Sequence, residues 1–222
     1  PMPLTIPNIL TLARVLAAPL IGILYLVLDR PVADYVVFAV FVVAALTDFV
    51  DGWIARRFNQ MSAFGKMLDP IADKAMVVIV CAVLLGLNGL VPLLLVPVLV
   101  ILLREVLVSG LREFLGDVKL DVTRLAKWKT TAQLVALGVL LLASGLRFSH
   151  DVLYFNMTPD RYHAILDGAE QDTVGLLPLV MAGNYGFLAG LILLWLAAIL
   201  TAITGWDYFR KAMPHLTSGE RT

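Results

Sequence analysis

Apolar residues run along this chain in long blocks broken by short polar stretches. A bilayer core takes about 20 mostly apolar residues per helix. Six stretches approach that length, at residues 9–28, 34–56, 66–87, 90–113, 124–146 and 184–209. Several are apolar over only part of their course. The second is clean from Tyr35 to Leu46 and then carries Asp48 and Asp51; the third opens on Asp69, Asp73 and Lys74; the fourth turns polar at Arg104. The pattern predicts an all-α integral membrane protein of six transmembrane helices, with a polar cavity that faces the cytoplasm. No repeat, linker or low-complexity tract divides the chain, so residues 1–222 are expected to form a single membrane domain. The one long connection, about 147–183, is expected on the extracytoplasmic side. Within it Thr158-Pro159 has the form of an N-cap followed by Pro at the first helical position, which predicts a short helix over 159–169. Its residues, His163 among them, show no catalytic spacing and suggest a structural or interface role.

Composition agrees with a lipid environment. Hydrophobic residues make up 60% of the 222 and charged residues only 15%, with a mean hydropathy of +0.88; soluble domains are nearer 45–50% apolar and about a quarter charged. The net charge of zero hides an asymmetry. An even helix count puts both termini on one side, and fourteen of the 17 Lys and Arg residues fall there, Arg14 included. The opposite side keeps Arg30, Arg147 and Arg161. This bias places both termini in the cytoplasm and the protein in the cytoplasmic (inner) membrane. Trp53, Trp128 and Trp206 fall near the same boundary. Cys81 is the only cysteine and lies in an apolar run, which excludes an intrachain disulfide and fits a small buried hydrophobe. The first apolar run lacks a small-x-small cleavage site and is expected to span rather than be removed. Pro1 ahead of Met2 has the form of a remnant left by a cleaved tag.

The chemistry is concentrated between Thr47 and Lys74, where four aspartates, Asp48, Asp51, Asp69 and Asp73, sit at helix ends close to the membrane. An ionisable group at membrane depth costs roughly 2.5–3.5 kcal/mol on insertion scales. Packing alone does not require four of them, so something must neutralise the set. Asp48 and Asp51 are spaced i, i+3 and Asp69 and Asp73 i, i+4, so each pair shares a helix face. The short intervening loop makes the two helices antiparallel neighbours, which predicts that the carboxylates converge. Hard oxygen donors of this kind suit Mg²⁺ or Mn²⁺, and their number points to two divalent ions. Gly52, Ala55 and Gly65 leave room for a bulky polar ligand, and Arg56 is placed to pair with a phosphate. Close helix packing is the other use of such small residues.

The string Asp48-x2-Asp51-Gly52-x2-Ala55-Arg56-x8-Gly65-x3-Asp69-x3-Asp73 resembles the signature of the CDP-alcohol phosphotransferase family without departure. The resemblance implies a six-helix, generally homodimeric membrane enzyme that uses divalent metal and a CDP-linked donor and releases CMP. It implies that Asp48, Asp51 and Asp69 are the principal metal ligands. Asp73 would border the metals and act as general base, while Gly52, Ala55, Arg56 and Gly65 hold the CDP moiety. Direct in-line displacement is expected, with no covalent enzyme intermediate.

The signature does not name the acceptor. Residues of REVLVSGLRE and RLAKWKTTAQ gather Arg104, Ser109, Arg112, Lys127, Lys129, Thr130 and Thr131 at the cytoplasmic surface, a basic set suited to an acceptor that itself carries a phosphate. Lipid headgroup attraction is the other use of such charges. Lys127 and Lys129 are about 200° apart on a helix, so only one can point squarely into a pocket. Together with the N-terminal IPNILTLARVLAAP, these blocks resemble members of the family that take glycerol 3-phosphate, which adds Asn8 and Thr11 as residues framing the nucleotide. The expected partners are therefore CDP-diacylglycerol, glycerol 3-phosphate, membrane lipid and a second copy of the chain, with no nucleic acid. Other acceptors remain open: inositol phosphate, serine, or phosphatidylglycerol as in a cardiolipin synthase. A metal-ion or proton-coupled transporter is the alternative of another class. It would place acids at midplane or on both sides, whereas here they cluster at one end of two adjacent helices.

Overall fold

A computed structural model of the chain describes residues 5–57, 63–116 and 124–218. Among them the order of elements is α1 (Ile6–Val27), α2 (Val32–Arg57), α3 (Ala63–Asn88), α4 (Pro92–Leu115), α5 (Arg124–Phe155), α6 (Pro159–Leu166) and α7 (Leu176–Ser218). No strand forms among the described residues. Among the described residues five helices, α1, α3, α4, α5 and α7, are long and apolar enough to cross a membrane. The chain is thus a multi-helix membrane protein. In α2 the side chains at 49 and over 51–56 lie outside the described residues, and its wholly apolar part, Tyr35–Leu46, is flanked by Asp34 and Asp48.

The helices group into two compact units, one of Pro1–Gly89 with Leu137–Gly190, the other of Leu90–Ala136 with Leu191–Thr222. In the first, α1 packs against both α2 and α3. Its buried residues are Asn8, Thr11, Arg14, Ala18 and Ile21, a three-and-four spacing that draws one stripe along a helix. The stripe is polar at its N-terminal half and apolar beyond. In α2 the buried Val37, Phe41 and Ala44 lead on, one turn later, to Asp48. Both helices therefore aim their polar positions inward at one end and apolar positions at the other.

The opposite end of this unit is closed by a second polar cluster. The buried Asp34 carboxylate accepts from Tyr25 Oη at 3.0 Å and Arg30 Nε at 2.8 Å. Arg30 Nη2 donates onward to the Ser144 carbonyl at 3.2 Å, and Asn88 Nδ2 to Ser144 Oγ at 3.1 Å. The Arg30 guanidinium lies over the Phe148 ring, 4.1 Å from its centroid. Residues of α1, α2, α3 and α5 are thereby tied together. Gly145 makes this closeness possible, because a Cβ there would stand 2.8 Å from the Asp34 Cβ.

The long connection expected over 147–183 is mostly helical. α5 continues to Phe155 rather than ending at 146, and α7 begins at Leu176 rather than 184. Loss of apolar character marks where a helix leaves lipid, but backbone hydrogen bonding does not stop there. Arg147 is kept in the helix, its guanidinium 4.5 Å from the Phe187 ring centroid. α6 has Thr158 as N-cap and Pro159 at its start, and ends at Leu166. The start of α7 is capped from outside: Asp172 accepts from the backbone N–H groups of Leu177 at 2.8 Å, Leu176 at 2.9 Å and Val174 at 3.2 Å.

Two expectations follow from these contacts. Gly145→Ala should destabilise the detergent-solubilised protein by about 1–3 kcal/mol in chemical unfolding, since Asp34 is held on two sides and cannot yield; unchanged stability would show that it can. The N–H bonds, that of Leu177 foremost, hold the Asp172 carboxyl below the usual carboxylate range. A lowered folded-state pKa means that the cap acts in full above the unfolded carboxylate value, about 3.9. Its contribution is lost as pH falls through the folded value. Amide exchange at Leu176 and Leu177, corrected for intrinsic rate, should stay slow down to about pH 4 and quicken below it. Asp172→Ala should show the fast rate already at neutral pH.

Candidate active site

Two sets of charged side chains stand out, one in each unit. In the first unit the Arg14 guanidinium, only 3% exposed, is the centre of an acidic cluster. Its Nη1 donates to Asp48 Oδ1 and, at 2.9 Å, to Asp73 Oδ1; its Nη2 lies 3.4 Å from Asp69 Oδ1. Thr11 Oγ1 donates to the same Asp69 oxygen at 2.8 Å. One side chain of α1 therefore gathers a carboxylate from α2 and two from α3. The three acids are half-exposed, at 43%, 49% and 52%.

The acid spacing predicts that Asp48, Asp69 and Asp73 converge, and the structure does bring them to one point. The side chains of Asp51, Gly52, Ala55 and Arg56, carried by α2, lie outside the described residues. Gly65 is buried near the start of α3. Thr11 and Asn8 are buried on the α1 stripe, with the Thr11 hydroxyl turned to Asp69. Among the described residues no group of three Asp, Glu, His or Cys side chains is closed round a metal-sized point. The chemistry of the donor set nonetheless fits a hard cation: carboxylate oxygens from two helices already converge on a positive charge.

From the sequence, Arg14 reads only as a boundary charge. Its spacing holds the missing signal. Asn8, Thr11 and Arg14 recur every third residue on an otherwise apolar helix, and a polar stripe at that spacing faces one neighbour.

The second unit holds the basic set. Along α4 the buried residues Leu94, Val98, Ile101, Val108 and Leu115 define a stripe, and Glu105 falls on it between Ile101 and Val108. The Glu105 carboxylate accepts from Lys129 Nζ of α5 at 2.5 Å and from Arg104 Nη1 at 3.4 Å. Lys129 is buried, whereas Thr130 and Thr131, which follow it, are exposed. Lys129 is turned inward; the Lys127 side chain lies outside the described residues. Ser109 Oγ donates to the Glu105 carbonyl at 2.5 Å, back along its own helix. Arg112 is exposed, with its guanidinium 5.6 Å from the centroid of the Tyr208 ring. Glu105 itself is absent from the basic set read in the sequence, although its place on the apolar stripe of α4 marks it as an acid pointing inward.

Arg104 also borders an apolar cavity of about 450 Å³ between α4 and α7, lined by Val100, Leu103, Leu107, Trp206 and Phe209 among others. Among the described residues it is the only charged one in that lining. α7 passes it closely at Gly205, where a Cβ would stand 2.8 Å from Arg104 Cγ.

Residues 4–206 match the CDP-alcohol phosphatidyltransferase family. The chain belongs to that family. Among its relatives is a CDP-diacylglycerol–glycerol-3-phosphate 3-phosphatidyltransferase of Cereibacter sphaeroides, 50% identical over 96% of this chain and 97% of the relative. A protein of the same name from Rickettsia bellii is 41% identical over 92% of this chain and 93% of its own length. A CMP-forming cardiolipin synthase of Oryza sativa subsp. japonica is 38% identical over a shorter stretch, 64% of this chain and 46% of the relative. As a CDP-alcohol phosphatidyltransferase the chain is an enzyme, and its acidic cluster coincides with the aspartates by which the sequence resembles that family.

Removing one partner from a buried ionic cluster leaves its counter-charges uncompensated, at about 3–5 kcal/mol when all are fully buried. Here the carboxylates are half-exposed and the cost should be nearer 1–3 kcal/mol. Arg14→Gln should therefore lower the thermal midpoint of the protein in chelator, and added Mg²⁺ should restore part of the loss by replacing the missing positive charge. A midpoint unchanged in chelator would mean that the three carboxylates do not depend on Arg14.

Proposed function

We propose that this chain transfers the phosphatidyl group of CDP-diacylglycerol to sn-glycerol 3-phosphate, giving phosphatidylglycerophosphate and CMP. The observation that carries the reading is the near full-length likeness to relatives named for that activity, 50% identical in one case, in a chain whose aspartates gather at one point.

In this reading Asp48, Asp51 and Asp69, with Asp73 at their edge, hold two divalent ions, Mg²⁺ or Mn²⁺. Such ions, when bound, offset negative charge on the pyrophosphate and on departing CMP. Arg56 pairs with a donor phosphate, and the small Gly52, Ala55 and Gly65 let the CDP moiety approach the helices. Asn8 and Thr11 line the nucleotide side, Thr11 also steadying Asp69. Asp73 takes the proton from the acceptor hydroxyl, whose oxygen attacks the β-phosphorus as the bond to CMP breaks. Arg14 fixes the Asp73 oxygen that it touches. On the acceptor side Arg104 and Lys129, with Arg112 and Lys127, hold the phosphate of glycerol 3-phosphate, and Ser109 and Thr130 add hydroxyls. The same reading makes α2 a sixth span, puts both termini in the cytoplasm, joins the two units in one membrane domain and pairs the chain as a homodimer.

The likeness to a cardiolipin synthase, though partial, keeps phosphatidylglycerol as a competing acceptor. CMP release by the purified protein with CDP-diacylglycerol and Mg²⁺ should depend on glycerol 3-phosphate. It should be absent with phosphatidylglycerol, inositol phosphate or serine alone. Asp73→Asn should lower kcat by about 10²–10⁴-fold, the range of a lost general base, while CDP-diacylglycerol still binds. Release that requires phosphatidylglycerol would transfer the enzyme to the competing reading, and full turnover by the variant would remove Asp73 from the chemistry.

A further inference from the structure

We propose that Glu105, the acid at the centre of the basic cluster, is a positioning residue for the acceptor's phosphate; this rests on the reading of Arg104 and Lys129 as acceptor ligands. Two cations meet here on neighbouring helices. The Lys129 side chain is 4% exposed and that of Arg104 16%, so neither charge is relieved by bulk water. Buried like charges repel strongly, and each carries a desolvation penalty that only an opposite charge or a ligand can offset. The Glu105 carboxylate supplies that opposite charge to both, from a backbone position fixed by the packed stripe of α4.

One carboxylate does not saturate the two cations. An ammonium has three donors and a guanidinium five. Glu105 engages Lys129 Nζ closely, at 2.5 Å, but takes only a long 3.4 Å contact from Arg104. Arg104 Nε is buried with no hydrogen-bond partner among the described residues. A buried donor left in this state costs free energy that a bound acceptor would recover. Among the described residues two cations stand against one anion, which leaves an excess positive charge before the exposed Arg112 is counted. The arrangement is thus aligned by its own acid yet incomplete without an external anion, and a phosphate monoester supplies the oxygens and the charge. Glu105 presets the direction of Lys129 and Arg104 without touching the acceptor.

A bare charge count predicts the reverse of a positioning role. If Glu105 merely competed with the phosphate for the cations, its removal would tighten acceptor binding. The two cases separate cleanly in the Michaelis constants. Glu105→Gln should raise KM for glycerol 3-phosphate about tenfold or more, the scale of removing a single charge-assisted hydrogen bond. It should change kcat less than about threefold and leave KM for CDP-diacylglycerol as it was. Competitive inhibition by inorganic phosphate should weaken in parallel. Glu105→Asp, which retains the charge on a shorter stem, should fall between wild type and Glu105→Gln and serves if the latter fails to fold. An unchanged or lower acceptor KM in these variants overturns the proposal. Arg104→Gln and Lys129→Met test its premise separately: if neither raises the acceptor KM, the acceptor-site reading falls, whatever the Glu105 variants do.

Discussion

The first unit depends on one guanidinium. Three carboxylates from two helices cannot share a small volume in an apolar protein unless a positive charge sits among them, and Arg14 is that charge. It lies on the third helix, α1, which packs against the other two, so neutralising the acids and bringing the helices together are one event. The rule recurs elsewhere in the chain. Asp34 is matched by Arg30, and Glu105 by Lys129 and Arg104. A chain with so few charges places those that it buries beside their opposites.

This pairing has a consequence for catalysis. Carboxylates held by a guanidinium are already gathered before any substrate arrives, so the work of drawing mutually repelling groups together is done during folding. The acids remain half-exposed. Such an arrangement is preorganised for the cation-assisted chemistry proposed above, in the sense that little has to be rearranged when charge develops in a transition state.

Much of this was legible in the sequence because hydrophobic periodicity and acid spacing are local. The apolar blocks predicted each long helix, Thr158-Pro159 predicted α6, and the i, i+3 and i, i+4 aspartates predicted a convergent set. What escaped was non-local. A cationic residue at a helix end satisfies the positive-inside rule and an internal ion pair equally well, so Arg14 could be assigned to the surface until its neighbours were known. Glu105 was obscured by the basic residues round it, although its partner Lys129 is twenty-four positions away. The ends of α5 and α7 escaped for a different reason. Hydropathy reports where the lipid ends, while the ends of helices are decided by caps such as Asp172, whose carboxylate the sequence does not distinguish from any other loop acid.

The length of α7 sets a limit on how the chain meets its membrane. At 1.5 Å per residue, its 43 residues make a rod of roughly 64 Å, about twice the thickness of a hydrocarbon core. Tilting cannot hide the excess, since full immersion would need an inclination near 60° and spanning helices rarely exceed about 40°. A good part of the rod must therefore stand in headgroups or water. Its C-terminal turns are suited to that setting: Lys211 bonds Asp207 at 2.7 Å across one turn, and Arg210 is exposed. The helix therefore ends by capping and charge rather than at the lipid boundary, and its last turns carry backbone hydrogen bonding out of the hydrocarbon.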